Sequence, residues 1–188
     1  MSADNDKNAL SIFGKIAHHS NGQDGDFYLE NGKANLLSGD FATNYFEAGI
    51  IKTSFISRFD AYQFLKTSLE VHPRTWSVDP LAGRYSTVRW HNTILFFKLP
   101  VTENKNIRQK AQVSLKAETT WMFGRVKGWD DFSSKRLNIK LTVYYHPTFL
   151  EDIGLFAQIY HGMDYYNIYF NHQLKVIRFG LMTEKLRF

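Results

Sequence analysis

His18, Ser20, Asn21 and Gly22 form a His-x-Ser-Asn-Gly run at the end of an alternating segment, Ile12-Phe13-Gly14-Lys15-Ile16-Ala17. A serine hydroxyl is a weak nucleophile until an imidazole within hydrogen-bond reach takes its proton. That imidazole needs a third group on its other ring nitrogen to hold the correct tautomer. In a strand, residues two apart share a face. Ile12, Gly14, Ile16, His18 and Ser20 would then point one way, with Phe13, Lys15, Ala17 and His19 opposite. A histidine and a serine on a mostly apolar face suit a general base and a nucleophile, and His19 faces the wrong way to join them.

The third group should come from the next strand, opened by Phe41-Ala42-Thr43-Asn44-Tyr45-Phe46-Glu47. Hairpin pairing would return Asn44 beside His18, on the face of Phe46 and Ala48. An amide oxygen accepts from an imidazole as a carboxylate does, with less support for the imidazolium. The intervening loop carries Asp24, Asp26, Glu30 and Asp40. Carboxylate oxygens beside a site suit a hard cation such as calcium, although Asn44 and Asp24-Gly25-Asp26 equally suit plain turns. His91, His146, His161 and His172 read as lumen or loop residues, and His72 before Pro73 as turn chemistry. Ser38 and Ser86 have no histidine at useful spacing.

The elements that must position these residues are strands. Period-2 alternation recurs in segments of about ten residues separated by polar turns, which is the weak, repetitive signature of a transmembrane barrel. Leu137 to His146 is the clearest case: Leu137, Ile139, Leu141, Val143 and Tyr145 oppose Asn138, Lys140, Thr142, Tyr144 and His146. Ala111 to Trp121 repeats it. Weaker examples lie around Leu65–Val71, Leu155–Ile159 and Ile177–Leu181, with mixed faces near 44–56 and 88–99. With the first segment this gives about eight strands. Sixteen Phe, ten Tyr and four Trp favour strands over helices.

A soluble sandwich would hide the apolar face, and an outer-membrane barrel would turn it to lipid. Aromatics near strand ends and an aromatic last residue, Phe188, favour the barrel. At 188 residues the chain is one domain. The absence of cysteine excludes disulfides and thiolate metal sites. The net charge of +5 is spread along the chain, which argues against nucleic acid as a partner. Met1 to Asn8 carry no apolar signal segment.

These motifs resemble the bacterial outer membrane phospholipase A family. The resemblance rests on His18-His19-Ser20-Asn21-Gly22, on Asp40-Phe41-Ala42-Thr43-Asn44, on Leu155-Phe156-Ala157-Gln158-Ile159-Tyr160-His161-Gly162, and on Tyr169-Phe170-Asn171-His172-Gln173 with the terminal Phe188. It runs from about residue 11 to the end. It implies an antiparallel barrel of about twelve strands, of which this chain would carry the C-terminal part, with residues 1–10 a disordered or truncated start. It also implies outer-membrane location, calcium dependence and activity as a homodimer on phospholipid. By match, Ser20 is the nucleophile, His18 the base, Asn44 the orienting group and the Gly22 N–H an oxyanion donor, with Asp24, Asp26 and Asp40 as candidate calcium ligands. Departures are Gln23 where the family has a basic residue, Asp40 where it has a serine, and the longer spacing of 26 residues between His18 and Asn44.

The competing readings are a non-catalytic porin or adhesion barrel and a soluble β-sandwich binding module. Lipid A deacylation ranks lower, because that His-x-Ser pair lies near the C-terminus.

Overall fold

A computed structural model describes residues 8–20, 24–33, 35, 39–59, 61–77, 81, 83–100, 112–147, 153–164 and 172–183. The protein is all-β. Eight antiparallel strands form one sheet in sequence order: β1 (Asn8–Ser20), β2 (Ala42–Ile56), β3 (Ala61–Val71), β4 (Val88–Pro100), β5 (Gln112–Phe123), β6 (Leu137–His146), β7 (Ile153–Met163) and β8 (Gln173–Thr183). Every neighbour is joined by the connection that precedes it, so the sheet is a plain meander. Among the described residues β1 pairs only with β2, and β8 only with β7.

Alternation sorts the two faces, and it sorts them in the reverse of a soluble core. Leu10, Ile12, Ile16, Phe46, Ile50, Leu69, Ile94, Leu141, Ile159, Ile177, Phe179 and Leu181 all face outward and exposed; Ile12 is 83% and Phe179 77% accessible. The opposite face is charged and largely sequestered. Glu47, only 3% exposed, takes Lys15 at 2.7 Å, Lys66 at 3.1 Å and the Ser68 hydroxyl at 2.7 Å. Glu118 takes Lys140 at 2.7 Å and Lys116 at 3.3 Å. The buried Glu47 is thus matched by cations from both adjoining strands, which is the condition for burying charge at all. Exposed aromatics mark both ends of the strands. On the outward face Trp90, Trp121 and Phe123 stand at one end and Tyr145 at the other, while Tyr62 lies on the opposite face beside Phe55.

The sheet curls strongly. β2 packs closely on β3 at Gly49, where a Cβ would lie 2.3 Å from the Thr67 carbonyl oxygen. A bulge between Phe96 and Leu99 shifts the β4–β5 register and increases local twist. The curl brings His19 and Tyr45 of the first hairpin to the same cavity as Asn138, Tyr160 and Met163 of β6 and β7.

The two ends of the sheet differ. Antiparallel order puts the connections after β1, β3, β5 and β7 at the end where β1 finishes, and those after β2, β4 and β6 at the other. The apolar core sits at the first end, where Phe27, Phe41, Leu81 and Tyr85 are buried together with Met163 packed against them. Arg136, 5% exposed, ties down the β5–β6 connection. Its guanidinium donates to the carbonyls of Asp130, Met122, Gly124 and Trp129 at 2.7, 3.2, 2.9 and 3.3 Å.

Candidate active site

The β1–β2 register sets His18 directly opposite Asn44, with Ser20 opposite Ala42. This follows from hydrophobic bookkeeping. Ile16 pairs with Phe46 and Ile12 with Ile50 on the outward face, while Lys15 pairs with Glu47 on the inward one. A slip by one residue would put the charged pair on the apolar side. The expected hairpin geometry is therefore the one found.

His18 Nδ1 lies 2.8 Å from Asn44 Oδ1. A carbonyl oxygen only accepts, so the ring nitrogen donates, and neutral His18 carries its proton on Nδ1. Nε2 is left with a free lone pair, the form a general base requires. Ser20 lies two residues further along the same strand, about 6.8 Å by strand rise, and exposed on the same face. Among the described residues no hydrogen bond joins Ser20 Oγ to the imidazole. Catalytic contacts of this type commonly tighten only when substrate is bound. Around the three residues stand Ile12, Ile16, Phe46 and Ile50, all exposed.

Gly22 lies outside the described residues. Asp24, Asp26 and Asp40 are exposed in the β1–β2 connection. The Asp40 N–H donates to the Gly25 carbonyl at 2.8 Å, which closes the loop base and brings its two arms together. Asn35 pins the loop further, its N–H reaching Phe27 O at 2.7 Å and its side-chain amide Asp26 O at 3.1 Å. The donor chemistry suits a hard cation. Among the described residues, however, no three acidic or histidine side chains converge as a metal site.

His72 differs from its reading as turn chemistry. It is 3% exposed. Its Nε2 lies 2.7 Å from Glu70 Oε1 and its Nδ1 3.1 Å from the Thr43 hydroxyl. Burial pushes its pKa down; the Glu70 hydrogen bond opposes this in part, and the nearby Arg89 charge adds to it. His91 faces inward; its Nε2 donates to the Glu70 carboxylate at 3.2 Å, and its Nδ1 lies 2.9 Å from the Thr120 hydroxyl. Glu70, Thr43, Tyr85 and Arg89 had no signal in the sequence, because their neighbourhood is set by pairing across β2, β3 and β4 and by the connection after β3.

Comparison of the chain with protein-family models, with curated proteins and with solved structures gave no match.

Proposed function

We propose that this chain is a phospholipid acyl hydrolase of the phospholipase A type, with Ser20 as nucleophile, His18 as general base and Asn44 as its orienting group. The observation that carries the reading is the 2.8 Å His18–Asn44 hydrogen bond on an exposed apolar face, with Ser20 next on the same face. A polar hydrogen-bonded pair gains nothing by facing outward among isoleucines unless something is brought to it.

Ser20 Oγ attacks an ester carbonyl of the lipid while His18 Nε2 takes the hydroxyl proton. Asn44 holds the ring and supports the imidazolium through Nδ1–H. The proton then passes to the leaving glycerol oxygen, which releases lysophospholipid and leaves the acyl group on Ser20. Water attacks this ester, His18 takes its proton, and fatty acid departs as Ser20 Oγ is reprotonated. Preorganised N–H donors stabilise the oxyanion, and Gly22 is the one we assign.

The inverted faces support an outer-membrane barrel as the setting. A spanning barrel turns apolar side chains to lipid and polar ones inward, with aromatics at both interfaces and longer loops on the external side. A soluble sandwich would bury the face that here lies open. The substrate then reaches Ser20 laterally, from the leaflet nearest the long connections. Calcium held near Asp24, Asp26 and Asp40, and activity as a homodimer, belong to the same proposal; a bound calcium would add positive charge beside the developing oxyanion.

The test is fatty-acid release from phospholipid in mixed micelles by the detergent-purified chain. Release that stops with Ser20→Ala supports the reading. Release undiminished by that substitution removes the nucleophile, and ion conduction in a planar bilayer without hydrolysis would favour a porin.

A further inference from the structure

Directly behind the outward His18–Asn44 pair lies an inward pair from the same two strands. The residues are His19 and Thr43, which are also opposite one another in register. Each is held from the connection that follows β3. The Tyr85 hydroxyl lies 2.9 Å from His19 Nδ1. The Thr43 hydroxyl lies 3.1 Å from His72 Nδ1, and His72 Nε2 lies 2.7 Å from Glu70 Oε1. A carboxylate only accepts, so His72 donates through Nε2, and in its neutral form it accepts the Thr43 hydroxyl proton at Nδ1. The two holds are joined. Arg89 lies 3.5 Å from Glu70 and stacks over the Tyr85 ring at 4.1 Å, and the His72 and Tyr85 rings meet edge to face at 5.0 Å.

We infer that Thr43, His72, Glu70, Tyr85 and His19 are positioning residues for the proposed hydrolysis, and that they act by fixing the backbone rung that carries His18 and Asn44. Successive side chains on a strand leave from opposite faces of one pleat. Locking the inward pair therefore locks the separation and tilt of the outward pair. β1 needs this more than an interior strand would, because among the described residues it is hydrogen-bonded on one flank only. The bond from Tyr85 to His19 supplies a second restraint at the point next to Ser20. Thr43 is 1% exposed and His72 3%, so neither touches lipid or substrate, and their effect passes through the rung.

This inference rests on the proposed function, and the experiment separates the two. Thr43→Val keeps the β-branched shape and removes the hydroxyl. Tyr85→Phe removes one oxygen. Each should lower kcat for fatty-acid release about tenfold, as small misplacements of reacting groups do, with KM within about twofold. Thr43→Ser should restore most of the loss. The double variant should fall well short of the product of the single losses, because both act on one rung. Glu118→Gln alters the separate inner cluster of Lys116 and Lys140 and should leave kcat unchanged.

Wild-type kcat in both single variants of an active enzyme overturns the inference and leaves the function standing. A loss of kcat that tracks a loss of thermal stability, with no rescue by Thr43→Ser, also overturns it. A wild-type chain that releases no fatty acid overturns the function and the inference with it.

Discussion

Asn44→Ala is the sharpest single perturbation of the proposed site. It removes the acceptor that lies 2.8 Å from His18 Nδ1 and leaves the β2 backbone intact. In the ground state this is a neutral hydrogen bond at an exposed position, worth about 0.5–1.5 kcal/mol at most, so folding should change little. In the transition state His18 carries a proton on each nitrogen. The same bond then serves a charged donor, for which about 1.5–3 kcal/mol is typical. Only the difference between the two states, about 1–1.5 kcal/mol, acts on kcat, and at 1.36 kcal/mol per factor of ten kcat should fall about five- to tenfold. KM should stay within about twofold, since Asn44 contacts the base and not the substrate. The assay is pH-stat titration of fatty acid released from mixed micelles at saturating lipid, with Ser20→Ala as the blank. An Asn44→Ala enzyme retaining more than half of wild-type kcat while Ser20→Ala is inactive would refute the orienting role. A matched rise in KM with unchanged kcat would refute it too, by making Asn44 a substrate contact.

Further outcomes are expected from other parts of the molecule. Chelation with EGTA should suppress release and added calcium should restore it; full activity in EGTA would remove Asp24, Asp26 and Asp40 from consideration. Leu141→Arg, at a half-exposed position in the middle of β6, should cost about 2–4 kcal/mol of folding stability in vesicles if that face meets lipid, and almost nothing if it meets water. Arg136→Ala strands four carbonyls and should cost about 2–4 kcal/mol, read as loss of amide protection across 124–136. His72 has a depressed pKa in the folded state. The unfolded chain therefore binds its proton first, so this group's contribution is complete above about 6.5 and declines as pH falls below it. His72→Gln should flatten that part of the denaturation midpoint–pH curve.

The strands were legible in the sequence where alternation is clean. The Leu137–His146 segment coincides with β6, and the face bearing Ile12, Ile16, His18 and Ser20 is the outward one. The pairing of His18 with Asn44 was legible as well, since one register alone keeps Ile16, Phe46 and Ile50 together and Lys15 with Glu47. What period-2 reading does not reach is contact between elements distant in sequence. His72 meets Thr43 across 29 residues and Tyr85 meets His19 across 66. Those contacts depend on how far the sheet curls, which no single strand's alternation sets. The loop carboxylates were legible only as composition, because residues 21–41 carry no period from which a shared direction could be derived.

The unequal ends of the sheet have a consequence for how the reaction should exhaust itself. If the chain spans a bilayer as proposed, insertion into preformed liposomes from the bulk would leave the end that carries connections 21–41 and 72–87 on the side of addition. Ser20, which closes β1 at that end, would then graze only the monolayer it entered from. Hydrolysis should therefore plateau with close to half the lipid untouched, and resume when a detergent pulse or a scramblase delivers the sheltered half.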